Sequence, residues 1–162
     1  MKTQEKILSD DWKKFRAIRL TGLKSDPQAF GGDITEELNR NELEWRKRLE
    51  SQDRFFFAAE ENGIFVSVAG AKNIGDNLWM LIAVYTLLEA RGKGLAKILT
   101  EKVIQESKQN GANAIQLMVN IDQKDAVHIY EKAGFKILKT LKAKKMADGK
   151  LHDEYLMEIR LD

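Results

Sequence analysis

The run LWMLIAVYTLLEARGKGLAKILTEKV, residues 78–103, changes its period halfway along. Residues 78–86 are almost all apolar or aromatic, which reads as a buried strand. Beyond them Leu95, Ile98, Leu99 and Val103 fall at the spacing of one helix face. Between strand and helix stands Arg91-Gly92-Lys93-Gly94-Leu95-Ala96. Two glycines let a backbone turn tightly and let a ligand approach the peptide N–H groups. The first turn of a helix leaves donors unpaired and carries partial positive charge, a combination that binds phosphate. Arg91, Lys93 and Lys97 add cationic character at the same point. The plainer alternative is a tight glycine turn with exposed basic residues, and the loop alone leaves it open.

Two nucleotide signatures fail on these residues. A Walker loop needs GxxxxGK[ST], but Gly94 is followed by Leu95; a dinucleotide fingerprint needs GxGxxG, but its third glycine position holds Lys97.

Working outward, Ser9-Asp10-Asp11 reads as a helix start, with Trp12, Phe15, Ile18 and Leu23 as its apolar stripe. Ser25-Asp26-Pro27 stops it, and Gly31-Gly32-Asp33 is a corner. Residues 34–49 are helical in composition, as two short pieces, with Leu38, Leu43, Trp45 and Leu49 turned inward. Residues 54–59 and 64–71 read as a hairpin around Glu61-Asn62-Gly63, and residues 73–77 turn the chain into the strand at 78–86. After a helix that ends near Gly111, residues 114–119 alternate as a strand. Ala126, Ile129, Tyr130 and Ala133 mark a short helix closed by Gly134. Residues 135–141 and 152–159 are strand-like and meet around Asp148-Gly149. This order predicts an α/β (α+β) fold, a sheet flanked by helices. No repeat or linker interrupts it, so a single domain over residues 1–162 is expected.

Composition removes several chemistries. The chain has no cysteine and two separated histidines, His128 and His152, so disulfides, a thiolate nucleophile and a cysteine–zinc site are excluded and no metal is expected. Catalysis has to run on carboxylates, hydroxyls, backbone N–H groups or a borrowed cofactor. A net charge of +2 implies no polyanionic partner. Charge is nonetheless segregated. Residues 26–45 hold six acids and one base, and residues 138–150 hold five lysines and one aspartate. The lysines read as guards on a hairpin edge, and no nucleic acid is expected to bind. The opening MKTQEKILSDDW lacks a secretory core, and the most apolar stretch, residues 78–88, is about half the ~20 residues a membrane span needs. No membrane association is expected, and the default compartment is cytoplasmic.

One pattern does fit the loop. R/Q-x-x-G-x-G/A is satisfied by Arg91, Gly94 and Ala96, and Ala126-Val127-His128-Ile129-Tyr130-Glu131-Lys132-Ala133-Gly134-Phe135 follows downstream. In both, the chain resembles the general N-acetyltransferase (GNAT) superfamily, whose A-x-x-x-Y-E-K-x-G-F segment the second stretch matches. Ser25-Asp26-Pro27-Gln28-Ala29-Phe30-Gly31 with Glu44-Trp45 also resembles an arm found in bacterial members. The resemblance implies a mixed, mostly antiparallel central sheet flanked by helices. It implies acetyl-CoA as co-substrate and direct attack by a primary amine of a small molecule or peptide, through a tetrahedral intermediate. Under it, Arg91, Gly92, Lys93, Gly94, Leu95 and Ala96 hold the pyrophosphate. Unpaired backbone groups at Thr86 and Leu87 meet pantetheine, and Tyr130 protonates the departing thiolate. Gln123 stands where the family usually has a cofactor-contacting asparagine. Residues 78–85 hold no carboxylate, although some relatives keep their base there. Glu36, Glu37 and Glu44 are then the acceptor-side candidates, lining a cleft that attracts a cationic amine, the plainer alternative being a solvated helical face. A homodimer through the last strands is common among relatives. The rival reading is a non-catalytic CoA-binding regulatory module, which would have lost the tyrosine or the loop; both are present.

Overall fold

Phe55, Phe56 and Phe57 give the centre of the sheet its two faces. Successive side chains of a strand point to opposite sides, so Phe56 enters one apolar layer while Phe55 and Phe57 enter the other. The computed structural model describes residues 2–161, with side chains from Lys6 onward. Its strands are β1 (Lys2–Lys6), β2 (Arg54–Glu61), β3 (Ile64–Gly75), β4 (Leu78–Thr86), β5 (Ala114–Asn120), β6 (Lys136–Lys145) and β7 (Leu151–Arg160). They form one sheet in the order β1-β2-β3-β4-β5-β7-β6. Every neighbouring pair is antiparallel except β4 with β5. The sheet is therefore mixed and mostly antiparallel, as expected.

Helices cover both faces. On one side α1 (Trp12–Ser25) and α3 (Glu42–Glu50) press Phe15, Ile18, Leu23 and Trp45 onto Phe56 and Val68. Phe15 meets Trp45 edge-on at 5.8 Å and lies 4.7 Å from Phe56, ring centre to ring centre. On the other side α4 (Leu95–Gln109) and α5 (Lys124–Ala133) bring Leu99, Val103 and Tyr130 against Phe57, Leu117 and Met157. With helices on both faces, β3 is buried at seven consecutive positions from Phe65, so its apolar run does not alternate.

Three expectations change. β1 was not expected; it is a polar segment that pairs antiparallel with β2. Leu38 and Leu43 are 43% and 59% exposed, not inward. The helical stretch breaks between α2 (Ile34–Leu38) and α3, and Asn41 caps α3 by accepting the Glu44 N–H at 2.9 Å. That break resets the helical phase, so Trp45 is buried while the two leucines turn outward. Finally, β3 runs through Gly75, and the turn into β4 is made by Asp76 and Asn77 alone, both at positive φ. Among the described residues no helix is long and apolar enough to cross a membrane.

The sheet leaves no room at Gly70. A Cβ there would overlap the Phe56 ring and sit 2.5 Å from the Phe55 carbonyl oxygen. Gly70→Ala should lower unfolding free energy by about 1–3 kcal/mol in urea titrations, as overpacking does. Gly31→Ala, with nothing within 4 Å, should stay within about 0.5 kcal/mol of the parent.

Candidate functional site

β4 and β5 part company early. Residues 78–80 pair with residues 114–116, and the strands then run on to Thr86 and Asn120 unpaired with each other. A bulge in β4 contributes. Ile82 faces Gly70 and Tyr85 faces Val68, so Ala83 and Val84 together oppose Ala69, and Ala83 has φ +56°. Such a bulge bends a strand and re-aims its side chains. β5 meanwhile stays in register with β7, Asn120 opposite Glu154. Where the two strands diverge lies a cavity of about 1110 Å³, bordered by residues from both faces of the sheet.

On the α4 side the cavity is bordered by Arg91, Gly92, Gly94, Leu95, Ala96 and Lys97. Gly92 and Gly94 have φ +83° and +76°, conformations that favour glycine, and a Cβ at either would meet nothing within 4 Å. The first bond across the start of α4 is Ile98 N–H to the Gly94 carbonyl, 3.0 Å. The N–H groups of Leu95, Ala96 and Lys97 precede that ladder and are the donors a phosphate would use. Lys93 lies 3.7 Å from Glu61 and does not border the cavity. Arg91 is pinned. Its Nε donates to the Thr86 carbonyl at 3.1 Å, its Nη2 reaches Asp26 at 2.8 Å, and its guanidinium lies over the Tyr85 ring.

The expected free backbone at Thr86 and Leu87 is corrected by these bonds. The Thr86 carbonyl accepts from Arg91, its hydroxyl shares a 2.7 Å hydrogen bond with Ser67, and the Leu87 N–H donates to Val66. Thr86 still borders the cavity, whereas Leu87 is buried in the core. The edge of β4 left without a β5 partner lies upstream, over residues 81–85.

Tyr130 and Gln123 approach from α5. Tyr130 borders the cavity and packs edge-on against Phe135 at 6.0 Å. Burial pushes its phenol pKa up, so it remains protonated. Gln123 borders the cavity too, its backbone held by bonds to Asn120 and Val127.

The opposite mouth is built by the segment after α1. Asn120 Nδ2 donates to the Gln28 carbonyl at 3.1 Å, and the Ala147 N–H donates to the Phe30 carbonyl at 2.7 Å. The tip of the β6–β7 hairpin and the arm thus close over one another. Arg19 lies 5.2 Å from the Phe30 ring centre, and both residues border the cavity. So does Glu154, only 7% exposed. Desolvation pushes its carboxyl pKa up, while Lys144 and His152 pull it back. Sequence reasoning passed over Glu154 because it follows His152 and Asp153 in what reads as a solvated strand. The one available signal was its alternation with Tyr155 and Met157.

The acidic segment is not where the acceptor-side expectation put it. Glu37 is 4% exposed and shared by Arg19, Arg40 and Arg48 at 3.6, 3.3 and 3.2 Å. Glu36 and Glu44 are exposed and reach Arg40 at 3.4 and 4.0 Å. None of the three borders the cavity. Among the described residues no group of three or more His, Asp and Glu side chains could hold a metal ion. His128 is exposed, and His152 is bonded to Asp148 at 2.6 Å.

Known proteins match this chain in sequence and in fold. Residues 18–135 match the family model described as the acetyltransferase (GNAT) family. N-alpha-acetyltransferase 30 of Schizosaccharomyces pombe is 29% identical over 117 residues, 70% of this chain and 77% of that protein. Among solved structures, a ribosomal-protein-alanine N-acetyltransferase from Brucella melitensis superposes with TM-score 0.83 at 18% identity, covering 97% of this chain and 98% of that one. A putative acetyltransferase from Salmonella typhimurium, solved with its cofactor acetyl-CoA, gives TM-score 0.79 at 16% identity, covering 98% and 94%.

The ion pairs of Glu37 predict a stability effect. Glu37→Gln leaves three partly buried guanidiniums without their shared anion and should cost about 3 kcal/mol in denaturant unfolding. Glu36→Gln should change stability by less than about 1 kcal/mol.

Proposed function

The chain belongs to the acetyltransferase (GNAT) family; on that premise we propose that it transfers acetyl from acetyl-CoA to the primary amine of a small molecule or peptide by direct attack. The observation that carries this reading is the cavity joining the glycine loop to Tyr130 through the gap between β4 and β5.

Acetyl-CoA, when bound, supplies the acetyl thioester and a thiolate leaving group. The residues present suit it. The N–H groups from Gly92 to Ala96 and the start of α4 offer donors for a pyrophosphate, with Arg91 and Lys97 beside them. The unpaired edge of β4 over residues 81–85 offers backbone partners to an extended amide chain and to a thioester carbonyl. Gln123 borders the same space and can donate or accept there. Tyr130 is the proton donor to sulfur, its raised pKa keeping the phenol in the donating form. The chain provides no nucleophile of its own, because the amine nitrogen attacks. On the acceptor side the arm and hairpin tip narrow the mouth, which supports an amine presented end-on, on a free molecule or a chain terminus. The Schizosaccharomyces pombe relative is an N-alpha-acetyltransferase by name, which is in keeping with a terminal amine.

Tyr130→Phe keeps the packing and removes the donor. It should lower kcat about 100-fold or more, read as thiol released from acetyl-CoA, while the thermal shift given by acetyl-CoA stays near that of the parent. Unchanged turnover would remove Tyr130 from the mechanism, and a cofactor-induced shift with no thiol release across an amine panel would make the protein a CoA-binding module. The pH profile supplies a further test. A pKa raised by burial keeps the phenol protonated to higher pH, so turnover should show no Tyr130-dependent fall below about pH 10.

A further inference from the structure

Glu154 is a buried carboxylate with no partner in contact, Lys144 and His152 acting on it only through their charge. It is 7% exposed and borders the cavity, and among the described residues no ion pair or hydrogen bond engages its oxygens. Buried charges are ordinarily paired, and a desolvated carboxylate that faces a cavity instead is a candidate site for a cationic ligand. Strand alternation fixes its side. Tyr155, Met157 and Ile159 pack in the layer under α4 and α5, so Glu154 faces the α1 side, next to its cross-strand neighbour Asn120. Tyr130 belongs to the opposite layer, and the gap between β4 and β5 joins the two. Asn120 does not neutralise Glu154. Its Nδ2 is committed to the Gln28 carbonyl and its Oδ1 to the Asp122 N–H, so it holds the arm across the mouth beside the carboxylate.

We propose that Glu154 is the acceptor subsite, where its carboxylate receives the substrate ammonium and takes a proton from it before attack. This rests on the acetyl-transfer reading above and adds the residue on which the amine is bound and activated. An N–H bond of the ammonium breaks and an O–H bond forms on Glu154, leaving a neutral amine. The nitrogen lone pair forms the bond to the acetyl carbonyl carbon, the C–S bond breaks, and sulfur takes the phenol proton of Tyr130. The second nitrogen proton is returned through solvent to the Tyr130 oxygen, and Glu154 releases its own to solvent. One proton leaves per amide made. Base and acid therefore approach the reacting carbonyl from opposite faces of the sheet, one serving the entering nitrogen and the other the departing sulfur. Desolvation raises the basicity of Glu154, and the titratable groups near it are Lys144 on β6 and His152 on β7, with Arg19 of α1 on the same cavity.

The test is Glu154→Gln in the full chain, assayed with acetyl-CoA against two sets of amines. For strongly basic amines kcat/KM should fall about 100-fold or more. For amines already neutral at the assay pH the loss should shrink to a small factor, because no proton need be removed. The acetyl-CoA thermal shift should persist, and the variant should melt no lower than the parent, since an unpaired buried charge has been removed. Glu154→Asp should recover part of the activity on basic amines, and it serves as the reading should the glutamine variant fail to fold. Equal losses on both sets, or turnover within about threefold of the parent, would overturn the assignment while leaving acetyl transfer intact. A parent protein that binds acetyl-CoA but acetylates no amine would sink both.

Discussion

The structure depends on where the pairing of β4 and β5 stops. Three residue pairs hold these parallel strands together, and beyond them neither strand has the other as partner. Unpaired backbone in a protein interior is costly unless something satisfies it. The divergence is sustained by its surroundings: the Ala83 bulge bends β4 away, and β7 holds β5 in register along its full length. The sheet thus stores a row of polar groups at its centre that a bound molecule can complete. The glycine loop and Tyr130 gather at the gap because β4 ends, and α5 begins, beside it.

Rigidity around the gap comes from both layers. The Phe15, Trp45 and Phe56 cluster anchors α1 and α3, and hence the arm that follows α1. Arg91 ties that arm to the loop through Asp26, while Asn120 and Ala147 tie it to β5 and to the hairpin. Each tie is a single polar contact, about 0.5–1.5 kcal/mol for an ordinary hydrogen bond. Together they hold four segments distant in sequence around one mouth, with geometry rather than strength as their contribution.

Much of this was legible in the sequence, and what was not has physical reasons. The strand–glycine–helix unit could be read because period and turn chemistry are local, and both glycines adopt the positive φ that their presence implies. Tyr130 could be placed on its helix face for the same reason. The splitting of β4 from β5 could not, because the apolar run of residues 78–86 looks alike whether or not its edge is paired. The acidic segment misled because the burial of Glu37 is decided by Arg19, on another helix, and by Arg48. β1 escaped notice because Lys2–Lys6 carries no apolar alternation and is held by backbone pairing with β2. Glu154 escaped because a strand inserted between β5 and β6 turns an apparently solvent-facing carboxylate inward.

The outer strand β6 has a consequence for how copies of this chain meet. Nine of its ten positions are exposed, and Lys136, Lys139, Lys142, Lys144 and Lys145 lie along it. A second copy laid against that edge would face its own lysines across less than a Debye length, about 8 Å in physiological salt. Ion-paired interfaces loosen as ionic strength rises. Any association through this edge would have the opposite sign, tightening as added salt screens the lysines.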